Sequence, residues 1–119
     1  MFRTAYDEAL IDSPRGARSR EREAIRLSIE YMEAAEQAGP QSRDAVVAAN
    51  FLRQLWTILM EDLANHGNEL PAMLRAQVIS IGLWMLRHAE DIRMERQTSF
   101  RPAIDISRLV AEGLACDHR

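Results

Sequence analysis

The chain has 119 residues, of which 47% are hydrophobic, and its 15 basic and 18 acidic side chains give a formal net charge of -3. Every basic residue is an arginine, which excludes enzymes that need a Schiff-base lysine or a phosphate-loop lysine. The length predicts one domain with a hydrophobic core of its own. The mild acidity argues against direct binding to nucleic acid, which depends largely on clustered positive charge.

The sequence favours a cytoplasmic protein without a membrane span. A single cysteine, Cys116, cannot form an internal disulfide, and the first residues do not have the pattern of a signal peptide. The longest near-continuous apolar stretch is the nine residues of 78–86. A membrane-spanning helix needs about 20 apolar residues, so we expect no membrane insertion.

Proline and glycine residues divide the chain into helical segments. The first segment, residues 1–13, is called the leader below, and its pattern predicts a short N-terminal helix that Asp12, Ser13 and Pro14 end. We expect it to pack on the rest of the domain through its apolar face, which consists of Phe2, Ala5, Tyr6, Ala9 and Leu10.

Three long amphipathic helices and a short C-terminal helix follow the leader. Their apolar stripes recur at helical spacing, which predicts an all-α fold: a small helical bundle in a single domain, 1–119. We expect the last helix to bury Ala103, Ile106, Leu109, Val110 and Leu114. The predicted bounds are about 19–38, 42–66 and 71–97 for the long helices, about 102–114 for the last helix, and 115–119 for a disordered tail.

The third long helix carries more apolar residues than one core stripe needs. A helix that is apolar nearly all round is either central in a bundle or covered by a partner. These surplus residues either fill gaps in the core or form an adaptable groove for a helix of another protein. The predicted partner-binding residues are Met73, Leu83, Trp84 and Met94, with Trp56 and Arg87 at the margin.

Two constellations resemble reactive sites, although their spacing favours ordinary structural roles. Asp62 and His66 are four residues apart, as an acid-oriented imidazole would need, but no nucleophile is tied to them. His88, Asp91 and Glu95 recur at helical spacing, as metal ligands would. A hydrogen-bonded core histidine is the favoured interpretation of His88, and we expect no catalytic residue, no metal site and no cofactor.

Two polar clusters are also best explained by structural roles and not by metal, RNA or lipid binding. Cys116, Asp117 and His118 would bind a metal only opportunistically at a disordered terminus. Arginines cluster before and within the start of the first long helix, where a solvated loop and first turn are favoured over an RNA or anionic-lipid contact. This cluster consists of Arg15, Arg18, Arg20 and Arg22.

Residues 55–88, followed by residues 104–115, resemble the flagellar protein FlaF family of alphaproteobacteria. Weaker similarity extends through the first long helix, so that about four-fifths of the chain is covered. The combined pattern is specific to the family, although each part of it is common. The features that carry the resemblance are Leu55-Trp56, Asp62-Leu63, the segment NELPAMLR at 68–75, Gln77 with Ile79 and Ser80, Leu83-Trp84, Arg87-His88, Ile104-Asp105 and Gly113-Leu114.

The resemblance implies a small cytoplasmic helper of flagellum biogenesis that is required for flagellin production and export. It implies direct contact with flagellin before secretion and a functional link to a second small protein, FlbT. Two functions stay open: a chaperone that binds flagellin, and a regulator of flagellin synthesis that acts through FlbT without escorting flagellin. Neither requires catalytic residues, and the sequence leaves the oligomeric state open.

Overall fold

The computed structural model describes residues 14–65 and 70–116, with side chains described for 19–65 and 70–113. This part of the chain contains four α-helices and no strand, which confirms the predicted all-α bundle. The predicted leader, residues 1–13, and the last three residues lie outside the described residues. The helices are α1 (Pro14–Ala38), α2 (Arg43–Ala64), α3 (Ala72–Arg93) and α4 (Arg101–Cys116).

α1 begins five residues before its predicted start at residue 19. A proline fits the first turn of a helix because its missing N–H has no intrahelical partner there. The arginine cluster therefore lies on the first turns of α1. The prediction that part of the cluster lies in a loop was wrong. α1 ends at Ala38, and the following Gly39 has a φ of 107° that suits glycine and an N–H that donates to the Ala35 carbonyl at 2.9 Å.

The starts of α2 and α3 match the prediction closely, but two helix ends do not. The Ser42 hydroxyl accepts a hydrogen bond from the Ala45 N–H at 3.1 Å and caps α2. α3 ends at Arg93 and not at residue 97, because Glu95 adopts a φ of 61° and the Arg96 N–H turns back to the Asp91 carbonyl at 2.8 Å. α4 continues through residues 115 and 116, which were predicted to belong to a disordered tail.

The helices pack in the spatial order α4, α1, α2, α3. Extensive interfaces join α1 to α2, α2 to α3, and α1 to α4, whereas α3 and α4 share no comparable interface within the described residues. The bundle is therefore closed on three sides and open between α3 and α4. Its largest fully buried side chains are Ile25, Met32, Leu52, Trp56, Met85, Phe100 and Ile104.

The predicted buried stripe of the last helix is only partly buried. Ala103 is buried against the core, but Ile106 and Val110 are half-buried and Leu109 is 68% exposed. The prediction was wrong for Leu109 because α4 packs mainly on α1, and among the described helices none covers the edge of the stripe that faces α3. The side chain of Leu114 lies outside the described residues.

Candidate partner-binding site

An apolar cleft of about 250 Å³ fills the open side of the bundle between α3 and α4. All four helices contribute to it, and Glu21 and Gln77 are its polar lining residues. Such a concave apolar surface suits apolar side chains of a ligand or partner. The other lining residues are Ile25, Trp56, Leu59, Leu63, Leu70, Leu74, Val78, Ile81, Ile106, Leu109, Val110 and Gly113.

The two walls of the cleft are apolar ridges at helical spacing. α3 contributes Leu74, Val78 and Ile81, and all three are half-buried although the sequence predicts them in an ordinary core stripe. The facing wall on α4 begins at Ile106 and includes Leu109, which is exposed. The walls are incompletely covered because, among the described residues, α3 and α4 share no extensive interface.

Trp56 lies at the floor of the cleft and is fully buried. The sequence instead predicts it at the margin of an exposed partner-binding surface. Its burial depends on the close approach of α3 to α2 at Gly82. A Cβ added to Gly82 would lie 2.6 Å from the Met60 sulfur and 3.2 Å from the Trp56 ring atom Cε3. Glycine at this helix position thus leaves room for the floor of the cleft.

An aromatic cluster lies between α3 and the start of α4. The ring of His88 stacks on Trp84 with centroids 4.8 Å apart, and Phe100 meets His88 edge-on at 6.3 Å. His88 is buried, and its Nε2–H donates to the Ser99 carbonyl at 3.1 Å. This confirms the interpretation of His88 as a hydrogen-bonded core histidine.

Burial lowers the pKa of His88 below its ordinary value. The hydrogen bond to Ser99 and the nearby carboxylates of Asp91 and Glu36 oppose this shift but do not cancel it. Within the described residues, no group of three His, Cys, Asp or Glu side chains is placed to hold a metal ion. Asp91 instead forms an ion pair with Arg96 at 3.3 Å, so the predicted spacing of His88, Asp91 and Glu95 does not assemble a site.

Two glutamates of α1 fix the start of α4. The Glu36 carboxylate accepts hydrogen bonds from the Phe100 N–H at 2.6 Å and from the Ser99 hydroxyl at 3.0 Å. Glu33 forms ion pairs with Arg101 and Arg108. These contacts hold α4 on α1, which leaves the opposite edge of α4 facing the cleft.

The structure separates the predicted partner-binding residues into different surfaces. Met73, Leu83, Trp84, Met94 and Arg87 are all exposed, as their departure from the core stripe predicts. Trp84 stacks on the aromatic cluster, and Met73 directly precedes the cleft residue Leu74. Leu83 lies two positions after Ile81, which places it on nearly the opposite side of α3 from the cleft.

The other side chains that the sequence singled out lie partly outside the described residues. Asp62 is half-buried on α2, but its predicted partner His66 lies outside the described residues, as do the side chains of the terminal cluster and those of Arg15 and Arg18. Among the other arginines of the cluster, Arg20 is exposed and Arg22 is half-buried.

Sequence reasoning missed the α4 wall of the cleft and the role of Gly82. Leu109 carries no signal that separates it from its core neighbours, because both lie on one apolar stripe. Gly82 does carry a signal, since an isolated glycine within a helical pattern indicates close packing. The hydrogen bond from the Phe100 N–H to the Glu36 carboxylate joins residues 64 positions apart. No local sequence pattern predicts a contact over that separation.

The described residues define a class of protein: a small all-helical domain with an open apolar cleft. None of the described helices combines the length and the apolarity that a membrane span requires. The chain belongs to the flagellar protein FlaF family, whose family model matches residues 2–114. No curated protein and no solved structure matches the chain. The expected family is thus confirmed, and the protein is related to the flagellum.

Proposed function

We propose that this protein binds flagellin in the cytoplasm as a chaperone or secretion helper and thereby promotes flagellin production and export. The observation that carries the proposal is the apolar cleft between α3 and α4, at the open side of the bundle. A groove of this kind suits the apolar face of an amphipathic helix. Membership of a flagellar family makes flagellin the partner we propose.

The size of the cleft limits what enters it. The α3 wall runs from Leu74 to Ile81, which is about 10 Å or two turns of helix at 1.5 Å per residue. A volume of about 250 Å³ accommodates a few apolar side chains but not a whole helix. A flagellin helix would therefore lie along the opening and insert the side chains of one face.

Binding of this kind would prevent premature polymerisation because it covers an apolar face of flagellin. A flagellin helix whose apolar face is held in the cleft is not available for polymerisation, so the subunit stays exportable. The proposed function needs no catalytic residue, metal or cofactor, and no direct contact with nucleic acid. Met73, which is exposed and directly precedes the cleft residue Leu74, would extend the contact at the start of α3.

Two exposed leucines provide a matched test of the cleft. Leu109 is 68% exposed on the α4 wall, and Leu83 is 59% exposed on the outer side of α3. Aspartate at either position adds the same charge at similar exposure. Isothermal titration against purified flagellin should show at least about 30-fold weaker binding for Leu109→Asp, as for the loss of an interface anchor worth about 2 kcal/mol. Leu83→Asp should bind within about twofold of wild type.

The result of the titration distinguishes the competing sites. Circular dichroism should show equal helix content in both variants, because neither leucine is buried. If Leu83→Asp loses binding while Leu109→Asp keeps it, the outer face of α3 is the site and the cleft is not. If both variants bind as tightly as wild type, neither surface contacts flagellin.

The alternative, regulation through FlbT without escort of flagellin, predicts a different outcome in the same assay. An escort binds flagellin when FlbT and RNA are both absent, because the contact is direct. A regulator of the alternative kind would show no binding to purified flagellin but would bind FlbT. Titrations with each purified partner alone therefore separate the two functions.

A further inference from the structure

We propose that α3 pairs with α3 of a second copy of this chain in an antiparallel dimer. The surface that pairs is the outer face of α3, which consists of Leu83, Arg87, Glu90 and Met94. In the dimer Leu83 lies against the partner subunit's Met94, and Arg87 lies against the partner subunit's Glu90. This inference concerns the chain alone and does not depend on binding to flagellin.

The outer face lies on the opposite side of α3 from the core. At 100° per residue its four residues fall within about 60° of one another, and the centre of that arc lies about 170° from the buried Met85. Leu83 is 59% exposed and Met94 is 46% exposed. Among the described helices only α2 shares an extensive interface with α3, and α2 packs on the core side. The outer face is therefore accessible to a second molecule.

The spacing of the outer face suits a helix as its partner. Its residues follow one another after four, three and four positions, which is the spacing of the seam of a coiled coil. The seam covers 11 steps, or about 17 Å at 1.5 Å per residue. A helix pair of this length is at the small end of specific interfaces, where less than about 1,200 Å² is buried in total. We therefore expect a weak dimer whose population rises with concentration.

The order of residue types selects a second copy in antiparallel orientation. Along the outer face an apolar residue is followed by a cation, an anion and a second apolar residue. When one copy is reversed by a twofold axis, apolar residues meet apolar residues and each cation meets an anion. The contact is then the same on both copies and closes the assembly at two chains. A parallel pair would instead place Arg87 against the partner subunit's Arg87, and like charges in contact are unfavourable.

The two charged side chains are prepared for this contact. Within the described residues Arg87 has no ion-pair partner. Arg93 holds the Glu90 carboxylate through hydrogen bonds of 3.1 and 2.6 Å. An ionised carboxylate has about four acceptor positions, so Glu90 keeps capacity for the guanidinium of a second copy. The ion pairs would set the register, while Leu83 and Met94 supply the buried apolar surface.

Pairing through the outer face leaves the cleft open. The wall residues Val78 and Ile81 lie about 150° around α3 from the centre of the outer face. A dimer would therefore present two clefts at once. If the proposed function is correct, such a dimer binds two flagellin subunits, or two sites of an assembly, with greater avidity than the single chain does.

A charge exchange tests the pairing in the full chain. Arg87→Glu and Glu90→Arg should each weaken self-association by about tenfold or more, because like charges then meet twice across the twofold axis. An equimolar mixture of the two variants should associate within about threefold of wild type, because both contacts are again between opposite charges. Sedimentation equilibrium measures all four samples. Each exchange changes the net charge of -3 by two units, so both variants stay negative and general attraction does not explain association of the mixture.

The charge exchange has outcomes that overturn the proposal. A wild-type chain that stays monomeric up to about 1 mM does not form the dimer. A mixture that associates no more tightly than either variant alone shows that Arg87 and Glu90 do not meet. Circular dichroism should show wild-type helix content in both variants, because neither side chain is buried.

Engineered cysteines provide a second test that leaves the charges unchanged. In a Cys116→Ser background, Leu83→Cys combined with Met94→Cys should form disulfide-linked dimers in at least about tenfold greater yield than either substitution alone. A disulfide needs Cα atoms within about 7 Å, whereas in this register Leu83 lies about 17 Å along the axis from the partner subunit's Leu83. Equal yields in the three proteins, or dimers mainly from Leu83→Cys alone, would overturn the register. Since flagellin is absent from both tests, their failure is distinct from failure of the proposed function.

Discussion

The two halves of α3 carry similar apolar patterns but have different surroundings. In the second half, Met85, Ala89 and Ile92 are buried in the core. In the first half, Val78 and Ile81 continue the same stripe but remain half-exposed on the wall of the cleft. The pattern of a helix therefore shows which face is apolar, whereas the neighbouring helices determine whether that face is covered.

The difference arises from the way α4 is attached. The turn after α3 places Phe100 against His88, and Glu36 of α1 binds the Phe100 N–H. From there α4 packs along α1, and in the part of the chain that the structure describes it forms no comparable interface with α3, so the first half of α3 stays open. The open half is the part of the molecule where apolar surface is left for a partner.

Two isoleucines on the same stripe test the comparison most strongly. Ile92→Ala removes a buried side chain from the sealed half and should lower the free energy of unfolding by about 3 kcal/mol. Ile81→Ala, on the wall of the cleft, should cost only about 1 kcal/mol because Ile81 is half-exposed. Urea denaturation of both variants measures the difference. Equal losses would show that the two halves are equally covered in solution.

The anchor of α4 should have the next largest effect. Glu36→Ala removes the acceptor of the Phe100 N–H and of the Ser99 hydroxyl, and we expect a loss of about 2 kcal/mol. The control is Glu23→Ala, which removes an exposed ion pair with Arg26 and should lower the free energy of unfolding by less than about 0.5 kcal/mol. If Glu36→Ala unfolds no more easily than Glu23→Ala, the anchor does not hold α4.

The end of α3 should tolerate a stabilising change. Glu95 has a φ of 61°, a conformation that costs little for glycine only, so Glu95→Gly should raise the free energy of unfolding by about 0.5 kcal/mol. Met94, one residue earlier, has a φ of -89°, so Met94→Gly relieves no such cost and should lower the free energy of unfolding. Thermal denaturation of the two variants tests this, and a loss of stability in both would contradict the assigned helix end.

The buried His88, in the second half of α3, should make the free energy of unfolding depend on pH. Its pKa is lowered by burial in the folded state, so the unfolded state binds more protons below about pH 6.5. The contribution of neutral His88 is therefore complete above that pH and is lost as the pH falls through the folded pKa. In His88→Gln this part of the slope should disappear. Urea denaturation between about pH 5 and 7 measures it, and identical slopes would contradict the burial of His88.

The sequence predicts the helices well because their apolar stripes are long and regular. It misplaces Leu109 because periodicity does not tell whether a second helix covers the stripe of α4. It places Trp56 at a margin because the close approach at Gly82 depends on two helices at once. It also extends α3 to residue 97, since no glycine marks the left-handed residue Glu95 that ends it.

Hydrogen exchange of the backbone amides, with and without flagellin, tests the binding role of the cleft most directly. The exchange rate of each amide depends on local opening of the structure around it. One experiment therefore reports on the two halves of α3 separately. If flagellin binds in the cleft, it slows exchange in residues 72–81 and 106–113, which form the walls, and leaves exchange in residues 82–93 unchanged. Protection confined to residues 82–93, or no protection at either wall, would contradict binding in the cleft.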